Sequence, residues 1–179
     1  MVRSVRAGAP AWDVSVPFRP ARMPGVAMAG FGDRVSTPID IAWIPPPAVA
    51  VLFDLGDGSL VVEDGEGRTQ RERIVAGLGL RGARGRGPAG RFDCLQVRLS
   101  PAVAQVVLGG GGQLGGTVVA LEDLWGREAL HLQEQLRITV MYADSASRPR
   151  DTRKGRERGF DSFVASAAVS IGLTLGAAA

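Results

Sequence analysis

The sequence predicts an α+β protein in which an antiparallel β-rich barrel or sandwich is followed by amphipathic helices. Three observations carry that prediction. The 179 residues include 25 Gly and 11 Pro, a supply of turn formers that suits many short strands better than a helical bundle. Between residues 26 and 99 the apolar runs are short, rich in β-branched and aromatic residues, and separated by Gly, Pro, Asp or Ser. At Ser100-Pro101 the hydrophobic period then changes from two residues to about 3.6. The length suffices for one domain with a substantial core and falls short of two ordinary ones.

Residues 1–24 read as an extended lead-in, because Pro10, Pro17, Pro20 and Pro24 each lack a backbone donor and resist helix. Strands are expected at 26–31, 39–44, 49–55 and 60–63. Asp57-Gly58, between Val51-Leu52-Phe53 and Leu60-Val61-Val62, is a two-residue hairpin cue of the kind that supplies positive φ. Asp64-Gly65 and Glu66-Gly67 mark a second turn. Residues 72–80 and 92–99 continue the strand pattern on either side of RGARGRGPAG, which reads as a solvated loop tip. In FDCLQVRLS the alternation turns Leu95, Val97 and Leu99 toward a core and Gln96 and Arg98 outward or into a polar cavity.

Ser100 is a good N-cap and Pro101 suits a first helical turn, so a short helix is expected to end near Leu108 at Gly109. GGGGQLGG (109–116) is a connector to VVALEDLWGREALHLQEQL (118–136). There Leu121, Trp125, Ala129, Leu132 and Leu136 fall on one stripe of a helix. Gly126 divides a short helical turn from the main helix.

The charge is uneven. Residues 148–158 hold Arg148, Arg150, Arg153, Lys154, Arg156 and Arg158 against Asp151 and Glu157, a net +4 in a chain of net +3. Everything outside this stretch therefore sums to −1, and the basicity belongs to a tail. Cys94 is the single cysteine, which excludes an internal disulfide framework and fits a reducing cytoplasm. The N-terminal stretch lacks the apolar core of a secretory signal. Residues 163–179 carry no charge but spend their length on Ala, Ser, Gly and Thr, so a membrane anchor is not expected.

Chemistry is sparse. GLGLRGARGRG has neither phosphate-loop spacing, and its Arg81, Arg84 and Arg86, with nearby Arg91, read as solvated. His131, the one histidine, lies between Leu130 and Leu132 and reads as structural or exposed. Glu63-Asp64 and Glu122-Asp123 sit at turn or helix-start positions, where negative charge serves the helix dipole. No catalytic residue, metal ligand or cofactor is expected.

The stretches WDV (12–14), RPARMPGVAMAGFGDR (19–34), PPPAVAVLFDLGDG (45–58), GRFDCLQVRLSPAVAQVVLG (90–109) and GGTVVALEDLWGREALHLQEQL (115–136) together resemble the N-terminal sensor half of AraC-type (AraC/XylS) transcriptional regulators. The resemblance implies a cupin-like sensor domain over 25–137, preceded by the extended segment 1–24 and followed by a divergent, disordered tail over 138–179. It implies ligand sensing and dimer linkage, with an unknown small-molecule effector. A pocket inside the barrel would draw on Trp43, Phe53 and Arg98, and Leu121, Leu124, Trp125, Leu132 and Leu136 would serve helix packing or dimer linkage, in a homodimer or with an intact relative. After Arg137 the pattern departs from the family, since no pair of helix-turn-helix units follows. The DNA-binding domain is read as truncated or absent, leaving the basic stretch to give only non-specific phosphate contacts. The alternative is a small cupin-like enzyme or binding protein. A single His argues against the metal chemistry such barrels use.

Overall fold

The computed structural model describes residues 13–16, 24–35, 37–44, 47–56, 60–109 and 114–146. The basic stretch 148–158, the uncharged stretch 163–179 and Asp57-Gly58 lie outside the described residues. The elements run β1 (Asp13–Ser15), β2 (Val26–Val35), β3 (Ile39–Ala42), β4 (Val49–Asp54), β5 (Val61–Glu63), β6 (Thr69–Arg71), β7 (Arg73–Ala76), β8 (Arg84–Gly87) and β9 (Gly90–Leu99). Helix α1 (Pro101–Leu108), strand β10 (Val118–Ala120), and helices α2 (Glu122–Trp125) and α3 (Arg127–Ala146) complete the chain. The strands form two antiparallel sheets, one ordered β1-β2-β9-β4-β7-β10 and the other β3-β8-β5-β6. A β sandwich with helices after it is the architecture that the change of hydrophobic period predicted.

The six-stranded sheet carries a core on each face. Every residue of β4 is buried, which explains its continuous apolar run, since a strand covered on one side only would alternate. One face carries Val49, Val51, Phe53, Leu95, Val97 and Leu99, joined in one core with Ala104, Leu108, Leu121, Ala129, Leu132 and Leu136 from the helical segment. The other face carries Ala50, Leu52, Ile74, Ala76 and Cys94, packed with Leu60, Val62, Leu80 and Ala83 between the sheets. Full burial of a side chain such as Phe53 or Leu95 contributes about 1.5–3 kcal/mol.

Local chemistry sets the helix bounds. The Ser100 side chain accepts from the Val103 N–H, and Gly109 closes α1 at φ 66°. The φ of 55° and ψ of −129° at Gly126 separate α2 from α3, a conformation that glycine adopts without Cβ strain. Trp125 Nε1 donates to the Val107 carbonyl at 3.0 Å and joins α2 to α1. At Gly77 an added Cβ would fall 1.2 Å from the Leu114 carbonyl oxygen, so the backbone after β7 passes the Leu114 backbone too closely for any side chain.

Three expectations are corrected. β4 and β5 do not form a hairpin: β4 pairs with β7 and β9, whereas β5 pairs with β6 and β8 in the other sheet. The chain crosses between sheets there, turned by the Asp54 carboxylate, which accepts from the Gly56 and Leu60 N–H groups at 3.0 and 2.6 Å. RGARGRGPAG is not all loop, because Arg84–Gly87 is an interior strand paired with both β3 and β5. Its arginines lie opposite Asp40 and Glu63, which bond Arg84 and Arg86 across the strands. The last helix runs on to Ala146 rather than ending near 136 or 137; no Pro or Gly interrupts 127–146. The turn at 64–67 is as expected, closing β5 on β6 with Gly67 at φ 82°.

A buried carboxylate fastens that turn. Asp64 accepts from the Glu66 and Arg68 N–H groups at 2.9 Å and from Arg68 Nε at 3.1 Å. The Thr117 hydroxyl reaches the same carboxylate at 3.5 Å, just before β10. Burial opposes the charge, but these donors and the Arg68 cation outweigh it and hold the carboxyl below its usual range. No helix among the described residues is long and apolar enough to cross a membrane.

Candidate functional site

The antiparallel register writes three rows across the face of the six-stranded sheet that looks toward the smaller sheet. Arg98 lies between Ala27 and Ala50, Gln96 between Ala29 and Leu52, and Cys94 between Phe31 and Asp54. Exposure grades along these rows: Ala27 and Arg98 are exposed, Ala29 is half-buried, and Gln96 and Cys94 are buried. Arg98 Nε donates to Gln96 Oε1 at 2.9 Å. That bond orients the guanidinium and leaves its two terminal nitrogens to meet an acceptor, and no carboxylate among the described residues pairs with it. The flanking alanines withhold bulk from its surroundings.

The smaller sheet packs against this face. Ile41 and Gly85 share the register position of Val62, which is buried between the sheets. Ile41 is nevertheless 39% exposed. Trp43, anchored by its N–H to the Ala83 carbonyl at 2.8 Å, is half-buried against the core between the sheets.

Of the three pocket residues expected from sequence, Trp43 is half-buried against the core between the sheets and Arg98 is exposed at the end of its row. Phe53 lies elsewhere. It is in register with Leu95 and 1% exposed in the core on the helical side of its sheet. Leu121, Leu132 and Leu136 are buried in that same core, with Leu124 and Trp125 packed against it. Their side chains therefore serve packing within the chain. Gln96 and the alanines beside Arg98 were missed as a set, although the period-two reading of FDCLQVRLS had already put Gln96 and Arg98 on one face.

Nothing in the rows resembles a catalytic apparatus. Burial pushes the Cys94 thiol far up, and the charges of Asp54 and Asp93 push in the same direction, so the thiol stays protonated and a poor nucleophile. Burial also raises the Asp54 carboxyl, against the lowering effect of its Leu60 and Gly56 hydrogen bonds. His131 is exposed on α3, 3.0 Å from Gln135 Nε2. No group of three or more His, Cys, Asp or Glu among the described residues could hold a metal ion. What the arrangement offers is hydrogen-bond donors and one cation, suited to a carboxylate, a phosphate or a polyhydroxylated molecule.

A concavity of about 540 Å³ opens on the smaller sheet, between Pro38, Ile39, Val61, Arg71, Arg86 and Pro88. Its Arg86 is engaged by Glu63 and approached by Asp40, while no ion pair among the described residues engages its Arg71.

No family model matches the chain, and no curated protein matches it in sequence. Among solved structures, the AraC-like transcriptional activator CuxR is similar at 16% identity and a TM-score of 0.39, covering 97% of this chain and 65% of that one. An RmlC-like cupin protein from Desulfovibrio desulfuricans is similar at 9% identity and a TM-score of 0.35, covering 55% of this chain and 92% of its own. Ectoine synthase from P. lautus is similar at 12% identity and a TM-score of 0.33, covering 49% of this chain and 63% of its own.

Proposed function

We propose that this chain is the sensor part of a transcriptional regulator resembling the AraC type, and that it binds a small anionic or polyhydroxylated effector between its sheets without transforming it. The observation that carries the reading is the oriented Arg98–Gln96 pair, flanked in its two rows by Ala27, Ala50, Ala29 and Leu52, with the buried Asp54 in the row beyond. A cation among apolar neighbours selects for a ligand that brings the complementary charge. The resemblance of the sequence motifs to AraC-type sensors supports the regulatory context. The helical segment packed on the far side of the same sheet supplies an element through which binding could act on a partner chain, whether a second copy or an intact relative. The basic stretch at 148–158 adds sequence-indifferent contact with phosphates, which would weaken steeply between about 50 and 200 mM salt. The chain in its cytoplasmic setting would thus sense rather than catalyse.

A thermal-shift screen of small carboxylates, sugar phosphates and sugars tests the reading, because a ligand of the native state raises its apparent stability. Stabilisation by one of these classes, with the compound recovered unchanged, is the expected result. Conversion of the stabilising compound would favour the cupin-like enzyme instead.

A further inference from the structure

The end of β4 is joined to the last helix by an unbroken run of hydrogen bonds. The Asp54 carboxylate holds the backbone at Gly56 and Leu60. The Asp54 N–H donates to the Glu72 carbonyl at 2.7 Å, and the Glu72 N–H donates to the Leu60 carbonyl at 3.3 Å. On the other side, the Asp54 carbonyl accepts from Gln133 Nε2 of α3 at 2.9 Å. Gln133 Oε1 accepts from Arg73, which also donates through Nε to Glu122 Oε1 at 2.6 Å and through Nη1 to Glu72 Oε2 at 2.9 Å. Asp54 and Gln133 are 2% and 3% exposed.

Two features mark this junction. Glu72 has φ 59°, a left-handed value that is unfavourable for a non-glycine residue and persists only where its surroundings impose it. Glu122 Oε2 is buried without a hydrogen-bond partner among the described residues, although the opposite oxygen is bound to Arg73. A buried polar network that is partly satisfied is sensitive to small displacements of any member.

We infer that the turn tied by Asp54 and the seating of α3 form one cooperative unit, linked through Gln133 and Arg73. Loosening the backbone at Gly56 and Leu60 loosens α3 around Gln133, and the reverse holds to the same extent, since a coupling free energy is reciprocal. The linkage stands on the junction itself and does not require that Arg98 bind an effector.

Residue-by-residue hydrogen exchange on the full chain tests it. Gln133→Glu keeps the size of the side chain and an acceptor for Arg73 but removes the donor to Asp54. It is expected to speed exchange at the Gly56 and Leu60 amides by roughly three- to tenfold while leaving the Leu95 and Val97 amides unchanged. Asp54→Asn is expected to speed exchange in α3 near Gln133 by a comparable factor. Should Gln133→Glu fail to fold, Gln133→Met offers a neutral replacement read in the same way. Unchanged exchange at the remote site, a change in one direction only, or a uniform rise at every amide would overturn the inference.

Discussion

The two faces of the six-stranded sheet share the same strands and differ in nearly everything else. Toward the helices, Val51, Phe53, Leu95, Val97 and Leu99 present large apolar side chains, none more than 3% exposed. Toward the smaller sheet the same β4 and β9 present Ala50, Leu52 and Asp54, and Cys94, Gln96 and Arg98. One face maximises apolar contact; the other accepts small residues, a buried amide and an exposed guanidinium. Both faces hold the fold, since the second carries the core between the sheets, but only the second adds a carboxyl, an amide and a guanidinium to its strands.

Substitutions can break that comparison at several strengths. Gly77→Ala forces a Cβ onto the Leu114 carbonyl, so a loss of more than about 4 kcal/mol, or failure to fold, is expected in a urea titration. Phe53→Ala empties the centre of the helical-side core and is expected to cost about 3–5 kcal/mol by the same measurement.

The two buried aspartates should respond to acid with opposite signs. The Asp64 carboxyl is held below its ordinary value when folded, so its contribution is present above the unfolded value near 4 and is lost as pH falls through the folded one. Asp54 is raised when folded. Its contribution is therefore present below the unfolded value and is lost as pH rises through the folded one. Urea midpoints between about pH 3 and 7 should thus fall less steeply with acid in Asp64→Asn and more steeply in Asp54→Asn. Removal of the Asp64 hydrogen bonds should also cost about 1–3 kcal/mol near neutral pH.

Much of the helical-side face was legible because it obeys local periodicities. The period-two reading of β9, the Ser100 cap, the Gly109 and Gly126 breaks, and the stripe of Leu121, Ala129, Leu132 and Leu136 all follow from neighbours in sequence. The misreadings share a different physics. Asp57-Gly58 is a genuine turn cue, but a turn signal does not say whether the next strand returns to the same sheet, and β5 joins the other one. The alternation Arg84-Gly85-Arg86-Gly87 is a strand pattern whose inward positions are glycines, so it lacked the apolar signal on which strand recognition rests. Phe53 was named for the pocket on an assumed strand face, while its register with Leu95 places it in the helical-side core. The link from Asp54 to Gln133 spans 79 residues and becomes visible only once the topology brings α3 beneath β4.

The smallest effect on stability should accompany the largest effect on binding. Arg98 is exposed and bonded only to Gln96 among the described residues, so Arg98→Ala should change stability by no more than about 0.5 kcal/mol. The decisive measurement is the ligand-induced shift in Tm of Arg98→Ala beside that of the unaltered chain, for whichever carboxylate or sugar phosphate stabilises the latter most. A shift in the unaltered chain that disappears in Arg98→Ala, with the two unliganded Tm values close together, is the predicted result. Equal shifts in both proteins would contradict the assignment of this face as the ligand site.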